Sequence, residues 1–267
     1  MNAPENIFLP DVQASLDERN IVIQKVGLKS VRHPVTLQTQ TGKQPSVAMI
    51  DMTVMLPSNV KGTHMSRFLE VLQNHHEPLN LASIKTMMVN MLNRLEAEEG
   101  HLDLRMPLFL KKVAPVSGVE SLLDYDLHIK AAFKDGGLKY TLQVQVPVTS
   151  LCPCSKKISE YGAHNQRSHI VIAAELVEDM AAEDLIKIAE QAASCELWGL
   201  LKRPDEKYVT ERAYDNPKFV EDLVRDIAVA LEQERKVIAY EVSSENFESI
   251  HNHSAYAWLS NDKRNKH

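Results

Sequence analysis

Between residues 47 and 56 apolar and polar side chains alternate: Ala48, Ile50, Met52, Val54 and Leu56 share one parity, and Asp51 and Thr53 share the other. Successive side chains of a strand point to opposite faces, so this spacing predicts a half-buried strand. The same alternation runs through Leu123, Tyr125, Leu127, Ile129, Ala131 and Phe133. It stops at Asp135-Gly136-Gly137 and resumes in Leu138, Tyr140, Leu142, Val144, Val146 and Val148. Two alternating runs around a glycine turn predict an antiparallel hairpin. His169–Val177 and Val237–Val242, apolar and rich in β-branched residues, read as further strands.

Elsewhere the period lengthens to that of a helix. Behind Asn80, a predicted N-cap, Leu81, Ile84, Met88, Met91, Leu92 and Leu95 recur at helical spacing up to the acidic stretch that ends at Gly100. Met87, Met88 and Met91 are read as core packing rather than a cofactor box. Residues 182–198 give a second helix through Leu185, Ile188, Ala189, Ala192 and Leu197, with Cys195 as a core residue within it. A third is read with Asn216 as its cap, Pro217 in its first turn, and Val220, Leu223, Val224, Ile227, Ala228 and Leu231 facing inward. Strands and helices fall in separate runs, which favours an α+β fold: an antiparallel sheet covered by helices. No Pro/Gly/Ser-rich linker divides the chain, so residues 1–267 are expected to form one domain. Strands and helices in each half leave room for two pseudo-repeated halves, about 20–118 and 119–260. Residues 1–20 are read as a loosely held polar arm and the last seven as a solvated tail.

Composition narrows the class. Of 267 residues, 44% are hydrophobic and 25% charged, which fits a globular protein and excludes a disordered or fibrous chain. There is neither a basic start with an apolar stretch behind it nor an apolar run of ~18 residues, so secretion and membrane insertion are not expected. Thirty basic against 36 acidic residues leave a net charge of −6, which offers no general attraction to nucleic acid. Only three cysteines are present, at 152, 154 and 195. They are too few for a disulfide scaffold and suit metal binding or thiol chemistry in a reducing compartment, so a cytoplasmic location is expected.

The predicted hairpin runs directly into the segment with the densest chemistry, TSLCPCSKKISEYGAHNQRSH over 149–169. Pro153 restricts Cys152 to extended geometry, so the Cys-Pro-Cys stretch is expected to be a stiff loop that presents its thiols in a fixed relation. Lys156, Lys157 and Arg167 are close in sequence and favour the thiolate needed by either a nucleophile or a metal ligand. A structural zinc site takes four ligands in paired spacings, and no such pair of pairs occurs here. An open three-ligand site, with a position left for water, is the catalytic pattern.

That segment, together with KGTHMSRFLE at 61–70, RPDEKYVTERAYDNPKFVED at 203–222 and FESIHNHSAYA at 247–257, resembles the type IB GTP cyclohydrolase I family across essentially the whole chain. The resemblance implies the tunnelling fold, an antiparallel sheet with helices on one face, assembled into a barrel-containing homotetramer with active sites between subunits. It implies a reaction in which GTP and water give 7,8-dihydroneopterin triphosphate and formate, the opening of the folate pathway. It also implies one divalent ion per subunit (zinc, manganese or iron(II)) held by Cys152, His164 and Glu206, the last in a polar loop. Such a borderline ligand set does not choose among these ions. Water activated by the ion would attack C8 of guanine.

Cys154, His169 and His251 are then the proton carriers, since a metal-bound imidazole cannot serve. Glu221 and Glu248 compete to accept the paired N–H groups of guanine; Glu221 is favoured, which leaves Glu248 and His251 near the ribose or the metal. Without the resemblance, Glu221 is simply a first-turn acid complementing a helix dipole. Lys61, Thr63, His64, Ser66 and Arg67, with Lys156, Arg167 and His169, are expected to receive the triphosphate. Two other readings compete. One is the NADPH-dependent nitrile reductase of queuosine synthesis, a tunnelling-fold enzyme without a catalytic metal. The other is a non-catalytic, metal-stabilised assembly module, in which loss of Cys152 would unfold the protein.

Overall fold

The computed structural model describes residues 12–13 and 15–265. Eight strands form one antiparallel sheet in which each pairs with its neighbours in sequence: β1 (Ile23–Thr39), β2 (Gly42–Leu56), β3 (Gly100–Val113), β4 (Glu120–Lys134), β5 (Gly137–Leu151), β6 (Asn165–Leu176), β7 (Val237–Asn246) and β8 (Ala255–Asp262). Between β2 and β3 lie α1 (Met65–Gln73) and α2 (Leu81–Leu95). A short α3 (Pro153–Ile158) joins β5 to β6, and α4 (Ala182–Ala192), α5 (Arg203–Asp215) and α6 (Val220–Gln233) precede β7. Two strands, helices and two strands thus occur twice in chain order, on either side of the Asp135-Gly136 turn.

The alternation in sequence becomes the two faces of this sheet. Ala48, Ile50, Met52 and Val54 of β2 and Tyr140, Leu142, Val144, Val146 and Val148 of β5 are buried, while the other parity is half-buried or exposed. Onto the buried face pack Ile84, Met87, Met88 and Met91 of α2, Leu185, Ile186 and Ala189 of α4, and Leu223, Val224 and Ile227 of α6, all in one continuous core. Removing each large side chain from water contributes roughly 1.5–3 kcal/mol, so these stripes rather than helix propensity hold the helices in place.

Asn80 does cap α2: its side chain accepts from Ser83 N at 2.8 Å, and the Ser83 hydroxyl accepts from Asn80 N at 3.0 Å. The helix ends at Leu95, where the acidic stretch begins, as expected. Glu96 turns left-handed (φ 54°), and Gly100 already begins β3, where a Cβ would lie 2.8 Å from Met91 Cε. The second helix ends early, at Ala192. Cys195 lies beyond it, fully buried, bridging to Thr149 through backbone hydrogen bonds in both directions. Asn216 is not the cap of α6 but the C-cap of α5, and its amide donates to Ala193 O at 2.8 Å. Residues 1–11 and 14 of the expected arm lie outside the described residues. The expected tail is largely structured: Asp262 ends β8, and Arg264 pairs with the buried Glu175 at 2.8 Å. No helix among the described residues is long and apolar enough to cross a membrane.

Candidate active site

Antiparallel pairing brings Cys152 and His164 together. Leu151 and Asn165 are the last register pair of β5 and β6, and one step further Cys152 N donates to His164 O at 3.1 Å. Pro153 does not stiffen an irregular loop, as expected, but starts a helix. Cys152 is the N-cap of α3, with its Sγ 3.4 Å from Ser155 N, and Pro153 occupies the first turn, where a missing N–H costs nothing. Cys152 is half-buried and Cys154 exposed.

The imidazole of His164 is held from one side. Its Nδ1 lies 3.0 Å from Gln166 Oε1 and 3.2 Å from Ser249 Oγ. Ser249 belongs to the β7–β8 connection, which folds back over the start of β6: Phe247 N donates to Arg167 O at 3.0 Å, and the Phe247 ring packs edge-on against His169 with centroids 4.9 Å apart. That return carries Glu248 to the same place. Its carboxylate, with only 14% of the side chain exposed, lies 3.8 Å from His251 Nδ1, and His251 stacks on His253. The start of α6 closes the group, because Lys218 N donates to Leu151 O at 3.1 Å. Glu221 follows in the first turn of α6, exposed.

Other expected residues lie elsewhere. Glu206 is in the first turn of α5, not in a loop. Lys156 donates to Tyr214 O near the far end of that helix and lies 4.2 Å from the Tyr214 ring centre. Eight residues of helix separate Glu206 from Tyr214, roughly 12 Å along the axis. No three His, Cys, Asp or Glu side chains among the described residues are close enough to hold an ion, whether Glu206 or Glu248 is taken with Cys152 and His164. The neighbour of Glu206, Asp205, which the sequence reading passed over, is fully buried. Asp205 accepts from Val116 N, Ser117 N, Ser117 Oγ and Lys202 N at 2.6–2.9 Å. Burial works against its charge, but these donors outweigh it and hold the carboxyl well below the usual range. An acid just behind Arg203-Pro204 was the available signal, since Pro at the first helical turn marks where orphan N–H groups need an acceptor.

The 61–67 group is also remote. Thr63 is buried, His64 precedes α1 as its N-cap, Ser66 and Lys61 are exposed, and Arg67 donates to Arg94 O at 3.1 Å beside Glu96. This group follows Leu56, at the sheet edge that continues through Gly100, Phe133 and Leu138. Cys152 follows Leu151, at the opposite end of β5. The strand between them spans ~43 Å at about 3.3 Å per residue.

The chain matches known proteins throughout. The family described as type I GTP cyclohydrolase folE2 matches residues 9–257. GTP cyclohydrolase FolE2 of Paraburkholderia xenovorans is 59% identical and that of Paraburkholderia phymatum 58% identical, each over 257 residues and 96% of both chains. Among solved structures, uricase from Arthrobacter globiformis superposes with a TM-score of 0.58 at 6% identity, covering 91% of this chain and 95% of that one. Urate oxidase from Bacillus subtilis superposes with a TM-score of 0.52 at 8% identity over 91% of this chain and all of that one. These distant neighbours bear on the fold alone, and it is the expected tunnelling fold. The sequence matches carry the rest: the chain belongs to the type I GTP cyclohydrolase FolE2 family.

Proposed function

We propose that this protein is a GTP cyclohydrolase I that opens the guanine ring of GTP at C8 and yields 7,8-dihydroneopterin triphosphate and formate. Family membership sets the reaction. The observation that supports its location is the meeting of Cys152, His164, the Glu248 return and the start of α6 at one end of the sheet.

A thiolate, an imidazole and a carboxylate suit a divalent ion such as zinc, manganese or iron(II). His164 offers Nε2, since Nδ1 is engaged by Gln166 and Ser249. Cys152 and His164 would hold the ion with a carboxylate as third ligand: Glu206, which the family resemblance gives, or Glu248, whose chain neighbour Ser249 touches His164. When bound, the ion supplies Lewis acidity that makes water nucleophilic near neutral pH. Glu221, exposed in the first turn of α6, is left to accept the paired N–H groups of guanine. His251, exposed and 3.8 Å from Glu248, is better placed to carry protons than His169, whose ring packs on Phe247. Cys154 is exposed beside the site and can serve the same end.

Arg167, paired with Thr149 on β6 three residues from His164, can receive phosphate, while Lys156 is turned toward Tyr214. Lys61, Thr63, His64, Ser66 and Arg67 lie at the opposite sheet edge and can reach a triphosphate at Cys152 only from another copy of the chain. A homotetramer with sites between subunits satisfies that requirement.

The test is incubation with GTP and Mn²⁺, followed by oxidation and detection of pterin fluorescence, with metal content measured for three variants. Fluorescent product is expected. Cys152→Ala should lose the bound ion, and comparing Glu206→Gln with Glu248→Gln identifies the third ligand by which of the two loses it. Absence of product with zinc, manganese and iron(II) overturns the cyclohydrolase reading. Consumption of NADPH with a deazapurine nitrile by metal-free protein would establish the nitrile reductase instead.

A further inference from the structure

We infer that Gln166 is a positioning residue that fixes the proton of His164 on Nδ1 and so keeps Nε2 open as a ligand; this rests on the metal-site reading above. His164 directly precedes β6 and Gln166 is the second residue of that strand. Gln166 Oε1 lies 3.0 Å from His164 Nδ1. Gln166 is 8% exposed, and its backbone is paired with Ser150 of β5.

A neutral imidazole has one N–H and one lone pair, and its neighbours decide which nitrogen has which. A carbonyl oxygen can only accept, so Oε1 facing Nδ1 requires the proton there. Ser249 Oγ, 3.2 Å from the same nitrogen, cannot make that choice, because a hydroxyl donates or accepts as required. The reversed amide would point an N–H at Nδ1, move the imidazole proton to Nε2 and block the ligand position. The amide orientation of this one buried side chain thus separates a His164 able to bind an ion from one that is not.

Two measurements test it on the full-length protein. In metal-free protein labelled with ¹⁵N at histidine, long-range ¹H–¹⁵N correlation should show His164 protonated at Nδ1 in the wild type, with a shift toward the Nε2–H form in Gln166→Leu. Competition with a chelator should show zinc affinity falling about 10–100-fold in Gln166→Leu, the range for losing a partner behind a metal-bound imidazole. Gln166→Glu, which still accepts, should stay within about threefold of wild type. Nε2–H in the wild type, unchanged zinc affinity in Gln166→Leu, or equal losses in both variants would each overturn the inference. Cys152→Ala keeps the two ideas apart. If it too binds zinc at full affinity, the metal-site reading has failed, and the tautomer measurement still decides the role of Gln166.

Discussion

Cys152 N donates to His164 O at 3.1 Å, one rung beyond the last register pair of β5 and β6. Eleven residues lie between them, yet the sheet fixes their backbones as neighbours. Because Cys152 is half-buried at the end of a strand, its thiol adds little to the core. Cys152→Ala is therefore expected to leave thermal stability within about 1 kcal/mol of wild type, the range for changes away from packed features. It should abolish pterin formation and stoichiometric metal binding. Unfolding or loss of assembly in this variant, seen by circular dichroism and sedimentation, would support a purely structural metal instead.

The separation of Arg67 from Cys152 along the sheet makes a different kind of prediction. If each active site takes 61–67 from one copy and Cys152 from another, Arg67→Ala and Cys152→Ala proteins are each inactive but complementary. Unfolded together and refolded as mixed oligomers, they should recover about a quarter of wild-type turnover, since one interface in four then pairs two intact contributions. No recovery would place both contributions in one chain.

Asp205 gives a pH dependence. Its folded carboxyl is held below its ordinary value by donors from residues 116, 117 and 202. A depressed folded value means that its contribution is present above the unfolded carboxylate range and is lost as pH falls through the folded one. Wild-type protein should lose melting temperature steeply below about pH 4, and Asp205→Asn should show a flatter acid limb from a lower plateau. Parallel limbs would show that other carboxylates govern acid unfolding.

Lys112 is 12% exposed and donates to both oxygens of Glu190 at 2.8 and 2.9 Å, and also to Glu196. Tyr125 donates to Glu190 as well, at 2.7 Å. Burial pushes the Glu190 carboxyl up, and Lys112 opposes that shift. Lys112→Met leaves the half-buried Glu190 without its cation and Glu196 with Arg212 alone, and is expected to cost about 3 kcal/mol in chemical denaturation, with Glu190 taking up a proton. A loss under about 1 kcal/mol would mean that the cluster relaxes into solvent.

Periodicity alone located β2, the β4–β5 hairpin and the cores of α2, α4 and α6, because each buries one face and the buried face imposes its spacing on the sequence. Three strands and the helices α1, α3 and α5 were not legible in that way. β1 and β8 are the edges of the sheet, with Ile23, Tyr256 and Trp258 exposed, and β3 has Pro107 in its middle. α5 is polar except at Asp205 and Ala213, so no apolar stripe announces it. Cys195 is in the core as expected, but through a bridge to Thr149 rather than through a helix.

The chemistry divides in the same way. Residue types and their motifs are properties of the linear chain, so the sequence by itself determined the Cys-Pro-Cys segment, the histidines and the family they resemble. Which of them meet depends on strand reversal. Each hairpin sends the chain to the opposite end of the sheet, so Ser249 reaches His164 from 85 residues away while the 61–67 cations stand at the other end. A net charge of −6 likewise says nothing about where cations gather. Only the tertiary structure decided that Arg167 pairs with Thr149 at the end of the sheet that leads into Cys152 and that Arg67 stands at the other end, because strand register, not sequence distance, sets which charges share a field.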